Sequence, residues 1–233
     1  MFFVQINHTG KGFLFLIFRE IKLRKYSSLH KLFYGLKLSL TQFITYKLKA
    51  STSSKITYLR NVKNNGSYSP YTDYWRQLRQ AIALVANNIE NMEYLYTVVE
   101  NADERYKDNY YRDVSRFINY VKKNNVKFIS VSKAKWTYKD LIVTASPEVG
   151  MKIGDEEYSV KIYYKVKKET EKWLAKNIAP TLNLMRSANP MEKKTFAILN
   201  LQNGRLYSED KFSRDPLELE VDADTLLDIW QKI

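Results

Sequence analysis

From Asp155 to Val166 apolar and polar positions alternate. Tyr158, Val160, Ile162, Tyr164 and Val166 share one parity, and Glu157, Ser159, Lys161, Tyr163 and Lys165 share the other. That period of two predicts a strand with one face on a core and a lysine-bearing face opposite. Upstream, LIVTA at 141–145 is short, β-branched and apolar, and it stops at Ser146 and Pro147. A proline suits a strand end because it cannot donate to the ladder. Glu148 follows at that end, where loops carry function more often than strand centres do. Gly154 and Asp155 join this run to the alternating one.

Elsewhere the helical period governs. Tyr74, Leu78, Ile82, Val85, Ile89 and Met92 predict a helix with Thr72 as N-cap and a break at Asn87 and Asn88. Tyr106, Tyr110, Val114, Phe117, Ile118 and Val121 give the inner side of a helix over 103–123, which Lys122 and Lys123 close with the cations a helix C-terminus favours. Short strands are expected at 126–130 and 136–138. A helix over 168–186, with Trp173, Leu174, Ile178, Leu182 and Met185 inward, should kink or split at Pro180. A strand at 195–201 turns at Asn203 and Gly204 and returns through 205–207. A short strand at 217–221 then leads to a last helix capped by Asp222. The fold class is α+β, mixed α/β: a helix-β-β-β-helix-β core around a small mixed sheet, with added N-terminal helices and a C-terminal helix. There is no internal repeat, low-complexity tract or coiled coil.

The first fifty residues differ from the rest. FLFLIF at 13–18 is far shorter than the ~20 residues a membrane span needs. Leu29, Leu32, Phe33, Leu36, Leu40 and Phe43 recur at helical spacing with Lys31 and Lys37 between them, a basic amphipathic pattern. Residues 13–48 would lie on an anionic membrane surface, cover a groove of a protein partner, or dock on the chain's own core, the plainest and favoured alternative. Residues 51–70 read as a linker because Ser, Asn and Gly dominate, with room for an edge strand at 56–62. The expected plan is therefore a segment 1–50, a linker 51–70 and one α/β domain over 71–233.

Composition narrows the chemistry. A chain of 233 residues that is 45% hydrophobic buries a sizeable core. The formal charge of +13 points to a polyanionic partner, nucleic acid foremost or an anionic membrane. Residues 1–50 hold nine Lys/Arg against one acid, so most of that bias is N-terminal. No cysteine is present, which excludes disulfides and thiolate zinc sites and fits a cytoplasmic protein. The only histidines are His8 and His30, so no histidine triad or histidine-held metal is available to the body of the chain. With seven glycines and neither GxGxxG nor GxxxxGK[ST], no nucleotide cofactor is expected, nor zinc or haem. Carboxylates, Lys, Tyr, Ser and an oxygen-bound metal such as Mg²⁺ remain.

The order of elements from residue 103 onward, with Ser146-Pro147-Glu148 and then Ser159-Val160-Lys161, resembles the core of the restriction-endonuclease-like superfamily, the PD-(D/E)xK nucleases. There an acid closes the second strand and a (D/E)xK triplet sits on the third; here Ser159 stands where an acid is usual. The stretches PEVGMKIGDEEYSVKIYYK and SPYTDYWRQLRQAI are also similar to a bacterial family with the pattern PELG…iklyfk, from which no function follows. The resemblance spans about residues 70–210. It implies metal-dependent phosphodiester hydrolysis, with Glu148 holding Mg²⁺ and Lys161 orienting water. Glu157 shares a strand face with Lys161 and could replace the missing acid, though it lies ~13 Å away along an ideal strand. Asp103, Glu104 or Asp113 on the preceding helix could supply a second ligand. If the acids do not converge, the core is a binding relic of a nuclease. The alternative is a non-catalytic interaction protein, of phage or mobile-element type, that binds nucleic acid or a protein. Nucleic-acid contacts would fall to Arg76, Arg79 and Trp75, to Lys122 and Lys123, and to Lys165. The plainer alternatives are that the Tyr/Trp stripe is core, Glu148 a solvated turn acid and Lys161 a surface lysine.

Overall fold

Alternation and helical periodicity translate into a helical layer, a five-stranded sheet, a buried helix and a smaller three-stranded sheet. The computed structural model describes residues 35–64, 73–164, 175–212 and 215–233. Residues 37–233 form one compact unit; the other, residues 1–36, lies almost wholly outside the described residues.

The strands are β1 (Leu36–Ser39), β2 (Lys127–Ile129), β3 (Lys135–Tyr138), β4 (Leu141–Thr144), β5 (Val149–Ile153), β6 (Glu156–Tyr163), β7 (Thr195–Asn200) and β8 (Arg205–Ser208). The described helices are α1 (Leu40–Lys47), α2 (Thr52–Asn64), α3 (Arg76–Ala86), α4 (Tyr94–Glu100), α5 (Glu104–Lys123), α6 (Ala175–Ala188) and α7 (Pro216–Lys232). The mixed α+β class is as the pattern predicts. The larger sheet has the order β2-β5-β6-β7-β8, with β6 and β7 parallel and its other pairs antiparallel. The smaller sheet has the order β1-β4-β3.

The alternating run does what its parity demands. Val160, Ile162 and Tyr164 join Val149, Met151, Ala197 and Leu199 in a core with Leu78, Ile82 and Val85 of α3 and Tyr110, Val114, Phe117 and Ile118 of α5. Gly154, at φ +60, makes the two-residue turn that closes Ile153 onto Glu156. Gly204, at φ +67, serves the β7–β8 turn in the same way. The opposite side of β7 buries Phe196 and Ile198. Helix α6 packs on both β7 and β3 and buries Ile178, Leu182, Leu184 and Met185, so it lies between the two sheets.

Three expectations are corrected, and at Pro180 one of the two expected outcomes, the split, does not occur. The amphipathic run does not continue as one helix through Leu36 and Leu40. Ser39 Oγ accepts from Gln42 N at 3.2 Å while Ser39 N donates to Gln42 Oε1 at 2.8 Å, and this reciprocal cap starts α1 after a strand. Leu40, Phe43, Ile44 and Tyr46 are buried, so the described part of residues 13–48 docks on the body. Residues 13–34 lie outside the described residues. The region read as linker with an edge strand is helix α2 through Asn64: Ser51 and Ser54 exchange hydrogen bonds of 3.2 Å, capping a helix where their composition suggested a loop. Residues 217–221 are helix and not strand, because Asp215 accepts from Glu218 N at 3.1 Å and Pro216 fills the first turn. Helix α6 runs through Pro180 without being split. Trp173, Leu174 and Thr72 lie outside the described residues.

Among the described residues no helix is long and apolar enough to cross a membrane.

Candidate functional site

Glu148 precedes β5; it does not close LIVTA. The chain parts at Ser146 and Pro147, and β4, the LIVT of LIVTA, goes to the small sheet while β5 joins the large one. Ser146 secures the parting by accepting from Ala134 N at 2.9 Å and donating to Ala134 O at 3.2 Å. Glu148 then stands one step beyond the Val149–Val160 pair, opposite Lys161, and its N–H donates to Val160 O at 2.8 Å.

Both oxygens of its carboxylate are engaged. Oε1 accepts from Lys161 Nζ at 2.6 Å and Oε2 from the Ile162 backbone N–H at 2.7 Å. The second bond stands in for the ladder bond that β5 no longer supplies to β6. Arg79 adds its Nε at 3.8 Å from Oε1 and turns its Nη1 to Asp73 Oδ1 at 3.2 Å, with Nη2 on the other Asp73 oxygen. Asp73, Arg79, Glu148 and Lys161 thus form one alternating-charge network, with 13% of the Glu148 side chain and 22% of the Lys161 side chain exposed. Burial works against the Arg79 charge, but the Asp73 hydrogen bonds and the fields of Asp73 and Glu148 raise its pKa above the ordinary value.

Beneath the network lies Tyr164. Burial pushes its phenol well above the usual tyrosine pKa, and the negative fields of Glu148, Asp113 and Asp73 add to that against the opposing field of Arg79. Trp75 stacks on Tyr164 with centroids 5.3 Å apart and on Tyr110 at 5.6 Å. Tyr110 donates to Tyr74 O at 2.5 Å, and Tyr74 packs edge-on to Trp75 at 4.7 Å. The Tyr/Trp stripe near the start of α3 is therefore a wall of the core.

The sequence-derived candidates divide accordingly. Glu148, Lys161 and Arg79 come together, with Trp75 beneath them. Glu157 does not join them: it is exposed near the β5–β6 turn, opposite Lys152 and 3.9 Å from its Nζ. Ser159 is wholly buried, and its hydroxyl has no partner among the described residues. Asp103 caps α5 by accepting from Arg105 N at 3.0 Å, and its paired Arg105 guanidinium lowers its pKa to about 2. Glu104 bonds Lys107 at 3.0 Å. Arg76 is exposed at the start of α3. Lys122 and Lys123 sit at the far end of α5, twelve residues or ~18 Å of helix beyond Tyr110. Lys165 lies outside the described residues. Asp73 was not foreseen; it reaches Arg79 across a helix start at a spacing that no helical rule pairs.

No family model matches the chain, and no curated protein does. Among solved structures it is similar to the alkaline exonuclease LHK-Exo from Laribacter hongkongensis. That likeness covers 84% of this chain and 88% of that one, at 8% identity and a TM-score of 0.42. It is also similar to the protein SSO0001, over 91% of this chain and 86% of that one, at 7% identity and a TM-score of 0.35. At these values neither likeness carries weight for what the site does.

The donor set does not fit a divalent metal. Glu148 offers one carboxylate, already shared between an ammonium and a backbone N–H, and among the described residues no three of His, Asp and Glu gather in metal-binding reach. What the arrangement does chemically is hold charge. It fixes Lys161 of β6 beside Arg79 of α3 and gives the Ile162 N–H an acceptor.

Proposed function

We propose that the chain is a nucleic-acid-associated protein built on a nuclease-like core whose acid–lysine pair serves the architecture and binding, not phosphodiester hydrolysis. The observation that carries this reading is the closed state of Glu148, both oxygens engaged by Lys161 and Ile162, with a buried serine at the position of the second acid. Element order supports the nuclease-like core: α5, then the antiparallel pair β5–β6 bearing Glu148 and Ser159-Val160-Lys161, then α6 and the parallel strand β7. The formal charge of +13 supports a polyanionic partner.

Labelled single- and double-stranded DNA and RNA, incubated with the full chain and Mg²⁺ or Mn²⁺, test both halves at once. The expected result is binding that falls steeply with salt, without cleavage. Cleavage abolished by Glu148→Ala and by Lys161→Ala would reinstate a metal-dependent nuclease. Absence of binding at low salt would remove nucleic acid as the partner.

A further inference from the structure

Charge in the body of the chain is unevenly placed. Residues 51–233 hold 29 Lys/Arg against 24 Asp/Glu, yet residues 114–139 hold seven Lys/Arg and no acid at all. That one stretch carries more than the net charge of everything after residue 50. Two of the seven are spent internally: Arg116 donates to Leu201 O at 2.8 Å and Gln202 O at 2.9 Å, and Lys139 bonds Asp224 at 2.5 Å. Lys122, Lys123, Lys127, Lys133 and Lys135 are exposed, and among the described residues none is in an ion pair.

The fold brings the first three of these to one edge of the larger sheet. Helix α5 ends on Lys122 and Lys123, and Asn125, at φ +49, turns the chain into β2, which is paired on one side only. Phe128 points to the core, stacking on Phe117 at 6.2 Å, which sends Lys127 to the opposite face. There Lys127 lies directly across from Lys152 of β5. Like charges placed directly opposite destabilise a strand pair. Among the described residues the one ion pair that offsets this is Glu157, on the far side of Lys152 at 3.9 Å. Lys133 and Lys135 follow in the chain at the start of β3, in the smaller sheet, where buried Trp136 turns its neighbour Lys135 outward. A lysine on an edge strand discourages edge-to-edge pairing; five with no ion pair among the described residues, one of them facing a sixth across the ladder, need another explanation.

We propose that residues 122–135, with Lys152, form the surface that takes the phosphate backbone of nucleic acid, without reading its bases. This deepens the reading above and rests on it. Charge complementarity selects the occupant. Indifference to sequence follows from the strip's aromatic residues: Phe128 and Trp136 face inward and Tyr138 bonds Asp224 at 3.1 Å, so the surface offers ammonium groups and no stacking platform.

The test compares the full chain with the triple variant Lys127→Gln/Lys133→Gln/Lys152→Gln and with an equal-charge control, Lys193→Gln/Lys211→Gln/Lys232→Gln, whose exposed lysines lie elsewhere. Affinity for a fluorescent duplex of mixed sequence is measured between about 50 and 200 mM salt. The strip variant should lose about three units of the slope of log K against log salt, about one per lysine, while the control keeps its slope. Two unrelated duplex sequences should bind alike. An unchanged slope in the strip variant, with wild-type binding intact, overturns the assignment of the surface and leaves the nucleic-acid reading standing. No wild-type binding to any nucleic acid overturns both. Binding to anionic vesicles alone, weakened by the strip variant, assigns the surface to a membrane and overturns the proposal.

Discussion

Glu148 and Lys161 meet across the β5–β6 pair, carboxylate to ammonium at 2.6 Å, while the other oxygen of the same carboxylate takes the Ile162 N–H at 2.7 Å. The PD-(D/E)xK pattern that the sequence resembles asks for an acid and a lysine on neighbouring strands. The same contact also does a structural job that any charged sheet terminus would need done. Which job dominates is a question about coupling energies.

If the pair is architectural, Glu148→Ala destabilises the fold by about 2–4 kcal/mol, because it strands Lys161 and leaves a strand donor without a partner, while Arg79 keeps Asp73. Lys161→Ala alone should cost less, since Glu148 keeps Arg79 at 3.8 Å and the Ile162 N–H. In the double variant the losses should fall short of their sum by about 1–3 kcal/mol. Urea unfolding of the four proteins measures the cycle, and strict additivity would remove the pair from the architecture.

How much of this was legible in the chain depends on the range of the interaction. Tyr158, Val160, Ile162 and Tyr164 declared their face because parity is local and the core reads it directly. The turns at Gly154 and Gly204 declared themselves because a positive φ restricts the residue type. Ser51 and Asp215 misled, since Ser and Asp stabilise helix starts and turns through the same side-chain hydrogen bonds, and the cap at Ser39 was hidden inside a run of helical spacing. The split of 141–153 between two sheets, and Asp73 meeting Arg79, depend on long-range packing that no window reports. The acid-free stretch of 114–139 was visible in the charge count, but its meaning needed Lys127 to face Lys152.

A second ion pair is deeper than the first. Arg186 bonds both oxygens of Glu209, and Glu209 also accepts the Phe196 N–H at 2.9 Å. Arg186 further donates to Glu192 O at 2.5 Å and Lys194 O at 3.0 Å, and its guanidinium lies 4.5 Å from the Phe196 ring centre. With side-chain exposures of 11% and 6%, removing one partner leaves an uncompensated charge under α6. Arg186→Ala should cost about 3–5 kcal/mol and Glu209→Gln less, because the amide oxygen still accepts. Thermal melts of the two variants decide the order.

Alkaline pH should unfold the protein earlier than ordinary lysine deprotonation would. Burial raises Tyr164 well above its ordinary value of 10.0 and raises Tyr110 and Tyr120 to about 12. Unfolded tyrosines release their protons near pH 10 while the folded ones hold them. The stabilisation is therefore fully present below about pH 10 and is lost as pH rises toward the folded values, by about 1.4 kcal/mol per pH unit for each such group. Denaturant midpoints between pH 8 and 11 should be flat and then fall. Tyr164→Phe should make that fall shallower while changing little at pH 8, since the lost hydroxyl has no hydrogen-bond partner among the described residues.

Gly150 holds the basic edge in place. A Cβ at this position would come within 2.3 Å of the Ile129 carbonyl oxygen, a backbone atom of β2 that cannot swing aside. Gly150→Ala should therefore loosen β2 from β5 at a cost of about 1–3 kcal/mol. It should also weaken the Phe117–Phe128 stack and raise amide exchange at Met151 and Ile129. Because β2 carries Lys127 to its place opposite Lys152, nucleic-acid affinity should drop in this variant although no charge has been removed. Amide exchange and duplex binding on the same protein test the link. Faster exchange with unchanged affinity would show that the lysines act from the chain at large and not from a surface that the sheet edge holds.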